Sequence, residues 1–247
     1  MAISILLNGA KGRMGQAIIA AANQHGATLA GAVDQGDDPA DFISACDVII
    51  DFSFHTVTPG LAALAAKHNK PIVIGTTGHN EAEKQAIRQH AANLPIVWAG
   101  NYSVGVTLLN HLVGVAAKIL TEDYHPEIIE MHHGHKKDAP SGTAEKLLQV
   151  VLDARGWDAS AARHGREGIT GERPVREVGV HALRGGDVVG DHTVLFAGDG
   201  ERLELTHKAS DRKIFAQGAV RAAAWVIGQK PGLYGMEDVL GLNPGAL

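Results

Sequence analysis

Short runs of consecutive apolar residues recur through the first hundred positions. After each, apolar residues return at every third or fourth place. Ile3-Ser-Ile-Leu-Leu7 is the first run. Met14, Ala17, Ile18, Ala21 and Ala22 then share one helical face, His25-Gly26 close that helix, and 28–33 form the next run. Val48-Ile-Ile-Asp-Phe52 leads into a helical pattern over 56–68, Pro71-Ile-Val-Ile74 into one over 80–91, and Pro95-Ile-Val-Trp98 into one over 104–120. Continuous apolar strands alternating with amphipathic helices predict a parallel sheet covered on both faces. Beyond Tyr124 the pattern changes. Ile128, Ile129 and Met131 read as a strand end, and Ala144, Leu147, Leu148, Val151 and Leu152 as a helix face. A loop rich in Gly and Arg follows over 160–176. The runs 178–183, 187–196 and 202–207 alternate and are expected to pair antiparallel, with Gly198-Asp-Gly200 as a hairpin turn. A last helix over 214–227 and the tail 232–247 are expected to return to the first sheet.

The first strand flows into Asn8-Gly9-Ala10-Lys11-Gly12-Arg13-Met14-Gly15, and the second ends on Asp34. Strand, glycine-rich turn, helix, strand and acid is the order of a dinucleotide site. The turn and helix start hold the pyrophosphate, and the acid hydrogen-bonds the ribose. The glycines are spaced G-x-x-G-x-x-G rather than G-x-G-x-x-G, so the simple fingerprint is not matched. Two further strand exits, Gly75-Thr76-Thr77 and Ala99-Gly100-Asn101-Tyr102, are expected in the same crevice, because ligands bind at the carboxyl ends of parallel strands. The predicted fold class is α/β. A Rossmann-type doubly wound sheet is built from 1–103 and 212–247, and 104–211 form an inserted α+β substrate-binding and oligomerisation domain.

The densest chemistry lies in Glu130-Met-His-His-Gly-His-Lys-Lys-Asp-Ala-Pro-Ser-Gly-Thr-Ala144. His132, His133, His135, Lys136 and Lys137 fall on a strand-to-helix turn that ends in Ser141-Gly142-Thr143. A helix start attracts anions, and imidazole exchanges protons near neutral pH. The segment is expected to bind a small anion and protonate it. No metal is expected: the single cysteine, Cys46, is far away, and the adjacent His132 and His133 point to opposite faces of a strand.

Composition narrows the class. A net charge of −5 argues against a nucleic-acid surface, and one cysteine excludes a disulfide framework and fits a reducing compartment. No apolar run is long enough to span a bilayer, so a cytoplasmic enzyme without membrane partners is expected.

The run Glu130–Ala144 closely resembles the signature of the dihydrodipicolinate reductase (4-hydroxy-tetrahydrodipicolinate reductase) family of diaminopimelate and lysine synthesis. The resemblance extends through 9–15, 75–77, 101–105, 166–168, 171–173, 200–210 and 218–221. It implies dehydration and reduction of a cyclic dicarboxylate with NADH or NADPH, by a homotetramer. It matches His132 to the family's proton donor and Lys136 to its second catalytic residue. His133, Ser141, Gly142 and Thr143 match substrate-binding positions. With Gly9, Ala10, Lys11, Gly12, Arg13, Met14 and Asp34, the two further strand exits complete the expected cofactor site. Asp34 favours a free 2′-hydroxyl. Gln35 stands where some members of the family carry an arginine, and Lys11 and Arg13 offer charge for a 2′-phosphate. Cofactor choice is therefore expected to be relaxed. Two alternatives stand beside it: a nucleotide-sensing regulator, for which no basic helix pair is visible, and another amino-acid-pathway dehydrogenase. A semialdehyde dehydrogenase would need a cysteine beside a base, and Cys46 has no neighbouring histidine in sequence.

Overall fold

A computed structural model of the chain describes residues 2–24 and 26–242. The predicted close of the first helix thus falls partly outside the described residues, at His25, as does the end of the tail, 243–247. The elements are β1 (Ser4–Asn8), α1 (Arg13–Gln24), β2 (Thr28–Val33), β3 (Val48–Asp51), α2 (Thr58–Lys67), β4 (Ile72–Ile74), α3 (Glu81–Arg88), β5 (Pro95–Trp98) and α4 (Val104–Ile119). They continue with β6 (His125–His132), α5 (Gly142–Arg155), β7 (Ala162–His164), β8 (Val178–Arg184), β9 (Gly190–Gly198), β10 (Glu201–Ala209), α6 (Lys213–Val226), β11 (Gly232–Tyr234) and α7 (Met236–Val239). The chain divides into two compact units, with boundaries between Val104 and Gly105 and between Asp211 and Arg212.

The first unit is a six-stranded parallel sheet in the order β11-β5-β4-β3-β1-β2. Alternation along the strands sorts its core into two layers. Ile5, Leu7, Ile50, Val73 and Val97 pack with Ile18, Ala21 and Ala22 of α1 and with the alanine-rich face of α6, Ala216, Ala219, Ala222 and Ala223. Leu6, Ile49, Ile72, Ile74 and Ile96 pack with Leu61, Ala62 and Ala65 of α2 and Ile87 of α3. Both faces are buried, which is why the strands read as unbroken apolar runs. The chain winds outward from β1 to β2 on one side and through β3, β4 and β5 on the other. The switch in winding leaves a crevice above the carboxyl ends of β1 and β3.

The second unit is a mixed five-stranded sheet, β10-β9-β6-β8-β7. The antiparallel expectation holds for β9 with β10, where Gly200 takes a positive φ of 83° in the turn. It fails for the run that became β8, which lies parallel to β6 and to β7. β6 separates β8 from β9 and pairs antiparallel with the latter. Alternation reports that one face of a strand is buried and carries no information on direction. Direction was decided by two returns: α5 carries the chain from the end of β6 back to the start of β7, and the segment 165–177 carries it back again to the start of β8. β7, three residues inside the Gly- and Arg-rich stretch, is too short to show a period. That stretch is tied down by Arg166 and Arg173, whose guanidinium groups reach Glu127 at 2.7 and 3.1 Å.

Candidate active site

In the first unit the crevice is a cleft of about 810 Å³ lined by Asn8, Gly9, Lys11, Gly12, Asp34, Gln35, Phe52, Ser53 and Phe54, among others. Gly9 adopts a φ of 87°, and a Cβ there would lie 2.3 Å from the Phe52 carbonyl oxygen. A Cβ on Gly15 would lie 2.2 Å from the Gly9 carbonyl oxygen, so the loop and α1 pack at a distance only glycine permits. The N–H groups of Gly9 and Ala10 both donate to the Val33 carbonyl, at 2.9 and 3.0 Å, which ties the turn to β2. Asp34 strengthens the tie by accepting from the Lys11 and Gln35 N–H groups, each at 2.8 Å. Those two backbone donors, Gln35 first, hold its carboxyl below the usual range. Lys11, Gly12 and Arg13 are exposed, whereas Met14 packs toward the core of α1 and α6.

The strand exits are joined by a residue that the sequence did not single out. Asp51, at the end of β3, is fully buried and accepts from Asn8 Nδ2 (2.9 Å), Ser53 Oγ (2.5 Å), Thr58 Oγ1 (2.7 Å) and Thr76 Oγ1 (3.0 Å). Thr76 is thereby a buried brace. Thr77 and Gly100, together with Gly78, His79, Lys84, Arg88 and Trp98, line a second cleft of about 520 Å³. The Tyr102 side chain is not at the surface of the crevice as expected. It is buried, and its hydroxyl donates to the carbonyls of Ile74 (2.8 Å) and Val97 (3.2 Å), pinning the ends of β4 and β5. Burial raises its pKa. Gly75 and Ala99 follow those strand ends, and Asn101 Oδ1 accepts from the Ser103 N–H at 2.8 Å just before α4.

In the second unit the period of two on β6 builds the site. Pro126 and Ile128 lie on the buried face, and the next residues on that face are Glu130 and His132. The covered face therefore turns from hydrocarbon to ionisable groups as the strand nears its end. β9 places His192 opposite Glu130, and β8 places Arg184 opposite His132. Glu130 has no exposed surface. Its carboxylate accepts from Arg184 Nη1 and Nη2 at 2.8 Å each, from the Ser141 N–H at 3.1 Å and from His132 Nδ1 at 2.6 Å. Burial would raise its pKa, but the hydrogen bonds of Arg184 and His132 outweigh that and hold the carboxyl below its usual range. Ser141 also caps α5, its Oγ accepting from the Ala144 N–H at 3.2 Å, and it touches His192 Nε2 at 3.0 Å.

The other expected residues surround this cluster. The His133 N–H donates to the Val188 carbonyl at 2.8 Å, and His135 and Lys137 are exposed. Lys136 Nζ donates to Asp138 at 2.9 Å, which lowers the Asp138 carboxyl. Gly142 opens α5 with no heavy atom within 4 Å of a built Cβ, so the approach to its backbone is clear. Thr143 follows on the first turn of α5. Glu130, Arg184 and His192 are the residues that sequence reasoning missed. Glu130 was legible in principle, two places before His132 on the same strand face. Arg184 and His192 come from strands whose pairing the sequence did not disclose. Among the described residues no group of three or more His, Cys, Asp or Glu is placed to hold a metal ion, and no helix is long and apolar enough to cross a membrane.

Comparison with known proteins decides the family. Residues 3–102 match the model described as "Dihydrodipicolinate reductase, N-terminus", and residues 105–240 match "Dihydrodipicolinate reductase, C-terminus". The chain belongs to the dihydrodipicolinate reductase family. A 4-hydroxy-tetrahydrodipicolinate reductase of Akkermansia muciniphila is 57% identical over 244 residues, covering 98% of this chain and 99% of that one. One from Halorhodospira halophila is 46% identical over 267 residues, covering 98% and 100%. Among solved structures, a dipicolinate-bound dihydrodipicolinate reductase from Paenisporosarcina sp. TG-14 aligns with a TM-score of 0.80 at 25% identity, covering 96% of this chain and 99% of that one. The chain is thus an oxidoreductase with an α/β fold, and its cofactor is a pyridine nucleotide. The regulator and semialdehyde-dehydrogenase alternatives are set aside.

His192 yields a prediction on stability. Burial first, and then the nearby His132, pull its pKa down to about 4. In the unfolded chain a histidine titrates near 6.5. Between those values the unfolded state takes up a proton that the folded state refuses. Stability is therefore complete above about pH 6.5 and declines toward pH 4, by up to about 3 kcal/mol. Denaturant midpoints measured from pH 7 to pH 4 are expected to fall less steeply for His192→Gln than for the parent. Parallel slopes would remove the assignment.

Proposed function

We propose that the chain takes 4-hydroxy-tetrahydrodipicolinate, whose hydroxyl leaves as water to give a conjugated C=N/C=C ring, and reduces that ring with NADH or NADPH, His132 acting as proton donor and Lys136 assisting. In this reading the first unit holds the dinucleotide at Gly9–Met14, Asp34 and the exits of β4 and β5. The second unit holds the substrate and makes the contacts between subunits. The observation that carries it is the cluster at the end of β6, where a buried, oriented imidazole lies beside the cationic turn and the start of α5. A cyclic dicarboxylate brings two negative charges. Gly142 and Thr143 on the first turn of α5, with Ser141 setting the cap, receive one carboxylate. His133 lies beside them. Lys136 exchanges its Asp138 partner for the substrate, where its charge offsets the electron density that hydride transfer creates. When bound, the dihydronicotinamide supplies the hydride. His132 supplies the proton that completes the reduction.

His132→Ala and Lys136→Ala are each expected to lower kcat on the order of 10²-fold or more. Cofactor affinity, read by binding of NADH and NADPH to the free enzyme, should barely change. Near wild-type turnover in both variants would refute the assignment.

Cofactor choice is relaxed in this proposal. Asp34 suits a 2′-hydroxyl, and Lys11 on the same cleft suits a 2′-phosphate. The two values of kcat/KM should differ by less than about a hundredfold, roughly 3 kcal/mol. Lys11→Ala should impair NADPH use more than NADH use. A preference for NADPH above a hundredfold would contradict the balance.

The assembly proposed is a homotetramer. Ile129 and Leu183 are more than 40% exposed on the face of the second sheet opposite Glu130 and His132. Apolar groups on an open sheet face favour a partner surface. Light scattering at micromolar concentration should give four times the chain mass, and a monomeric mass would reject the proposal.

A further inference from the structure

The hydrogen bonds around Glu130 have a direction. A carboxylate only accepts, so Arg184, the Ser141 N–H and His132 Nδ1 must all be donors. Two of the three partners are fixed independently of His132. The Ser141 N–H belongs to the cap of α5, and Arg184 Nη2 also donates to the Asp138 carbonyl at 2.7 Å. The carboxylate is therefore anchored by the helix start and by β8, and it imposes an orientation on the imidazole. With Nδ1–H committed to Glu130, the ring's remaining nitrogen is Nε2. The strand beside it carries glycine at that point. A Cβ on Gly190 would lie 2.9 Å from His132 Nε2 and 3.4 Å from Cδ2. His192 meets the same ring edge-on, with centroids 5.2 Å apart.

We propose that Glu130 is a positioning residue for proton transfer. Anchored by Arg184 and the Ser141 N–H, its carboxylate fixes the Nδ1–H of His132, and Gly190 leaves the space in which Nε2 delivers the proton. The inference rests on His132 being the proton donor. In the step itself, hydride from the dihydronicotinamide adds to the conjugated C=N/C=C system, which is reduced as the nicotinamide is oxidised. The His132 Nε2–H bond breaks, and its proton bonds to the electron-rich position of the substrate. The electron pair stays on Nε2, leaving a neutral imidazole whose one hydrogen is on Nδ1. Water then restores the proton at Nε2. Without the carboxylate, the neutral ring is free to carry its hydrogen on Nε2 instead, the wrong nitrogen to be recharged.

Glu130→Gln is the direct test, because its amide keeps the shape and changes the polarity. Oε1 receives Ser141 and one arm of Arg184, so the amide oxygen is expected there. The NH2 group then faces His132 Nδ1, which must become an acceptor. In enzyme labelled with 15N-histidine, the neutral His132 of the parent should show the Nδ1–H tautomer, and Glu130→Gln should move it toward Nε2–H. With this shift kcat should fall on the order of 10²-fold, while KM for the dicarboxylate stays within about threefold. Gly190→Ala is a second variant that leaves Glu130 and Arg184 in place. It should lower kcat at similar KM by crowding Nε2, and it decides the question if Glu130→Gln does not fold. Wild-type kcat with an unmoved tautomer in Glu130→Gln, a rise in KM alone, or wild-type kcat in Gly190→Ala would each overturn the proposal. If His132→Ala abolished turnover while these variants did not, the proton donor would stand and the positioning role would fall. An active His132→Ala enzyme would remove the reading beneath it.

Discussion

A carboxylate taken wholly out of water must be met by donors from within the protein, or its burial costs several kcal/mol. Glu130 imposes that demand on the second unit. Its donors come from β6 itself, from β8 and from the N-cap of α5. The strand pairing, the start of the helix and the orientation of His132 are therefore one arrangement rather than three. Each donor that satisfies the carboxylate also loses a degree of freedom. Asp51 does the same in the first unit, where side chains from the ends of β1 and β4 and from the start of α2 converge on a single buried group. In both units the floor of the site is a saturated carboxylate, and the groups expected to touch ligands stand around it.

This arrangement separates what holds from what moves charge. Arg184 and Glu130 form a close pair that neutralises itself, and the Lys136–Asp138 pair is partly open to solvent. An exposed pair contributes little to stability, so Lys136 can change partners at low cost. Ser141 is occupied on both its N–H and its hydroxyl, which makes it part of the frame as much as of the site.

The crevice above β1 and β3 follows a different logic. Its shape comes from backbone approach at Gly9 and Gly15 and from N–H groups of the turn that bind Val33 and Asp34. Asp34 thus has two uses, tethering the loop and facing the cleft. The Tyr102 side chain joins two strand ends from below, its ring beside Phe52 at 5.6 Å between centroids.

Much of this was legible in the residues. Unbroken apolar runs announced strands buried on both faces, and the returns at three and four places announced the helices covering them. The turns at 9–15 and 130–144 announced themselves because glycine spacing and the His-Lys run are local in the chain, where backbone geometry depends on near neighbours. The run 130–144 also carried the family resemblance. Tertiary structure alone decided what depends on non-local pairing. It set β8 parallel to β6, inserted β6 between β8 and β9, and brought Arg184 and His192 to Glu130 across more than 50 positions. A period of two states which face is buried, but neither the direction of a strand nor its neighbour. For that reason the sequence displayed His132 and Lys136, while Arg184 and His192, which meet Glu130 and His132 from the neighbouring strands, became visible only once three strands lay side by side.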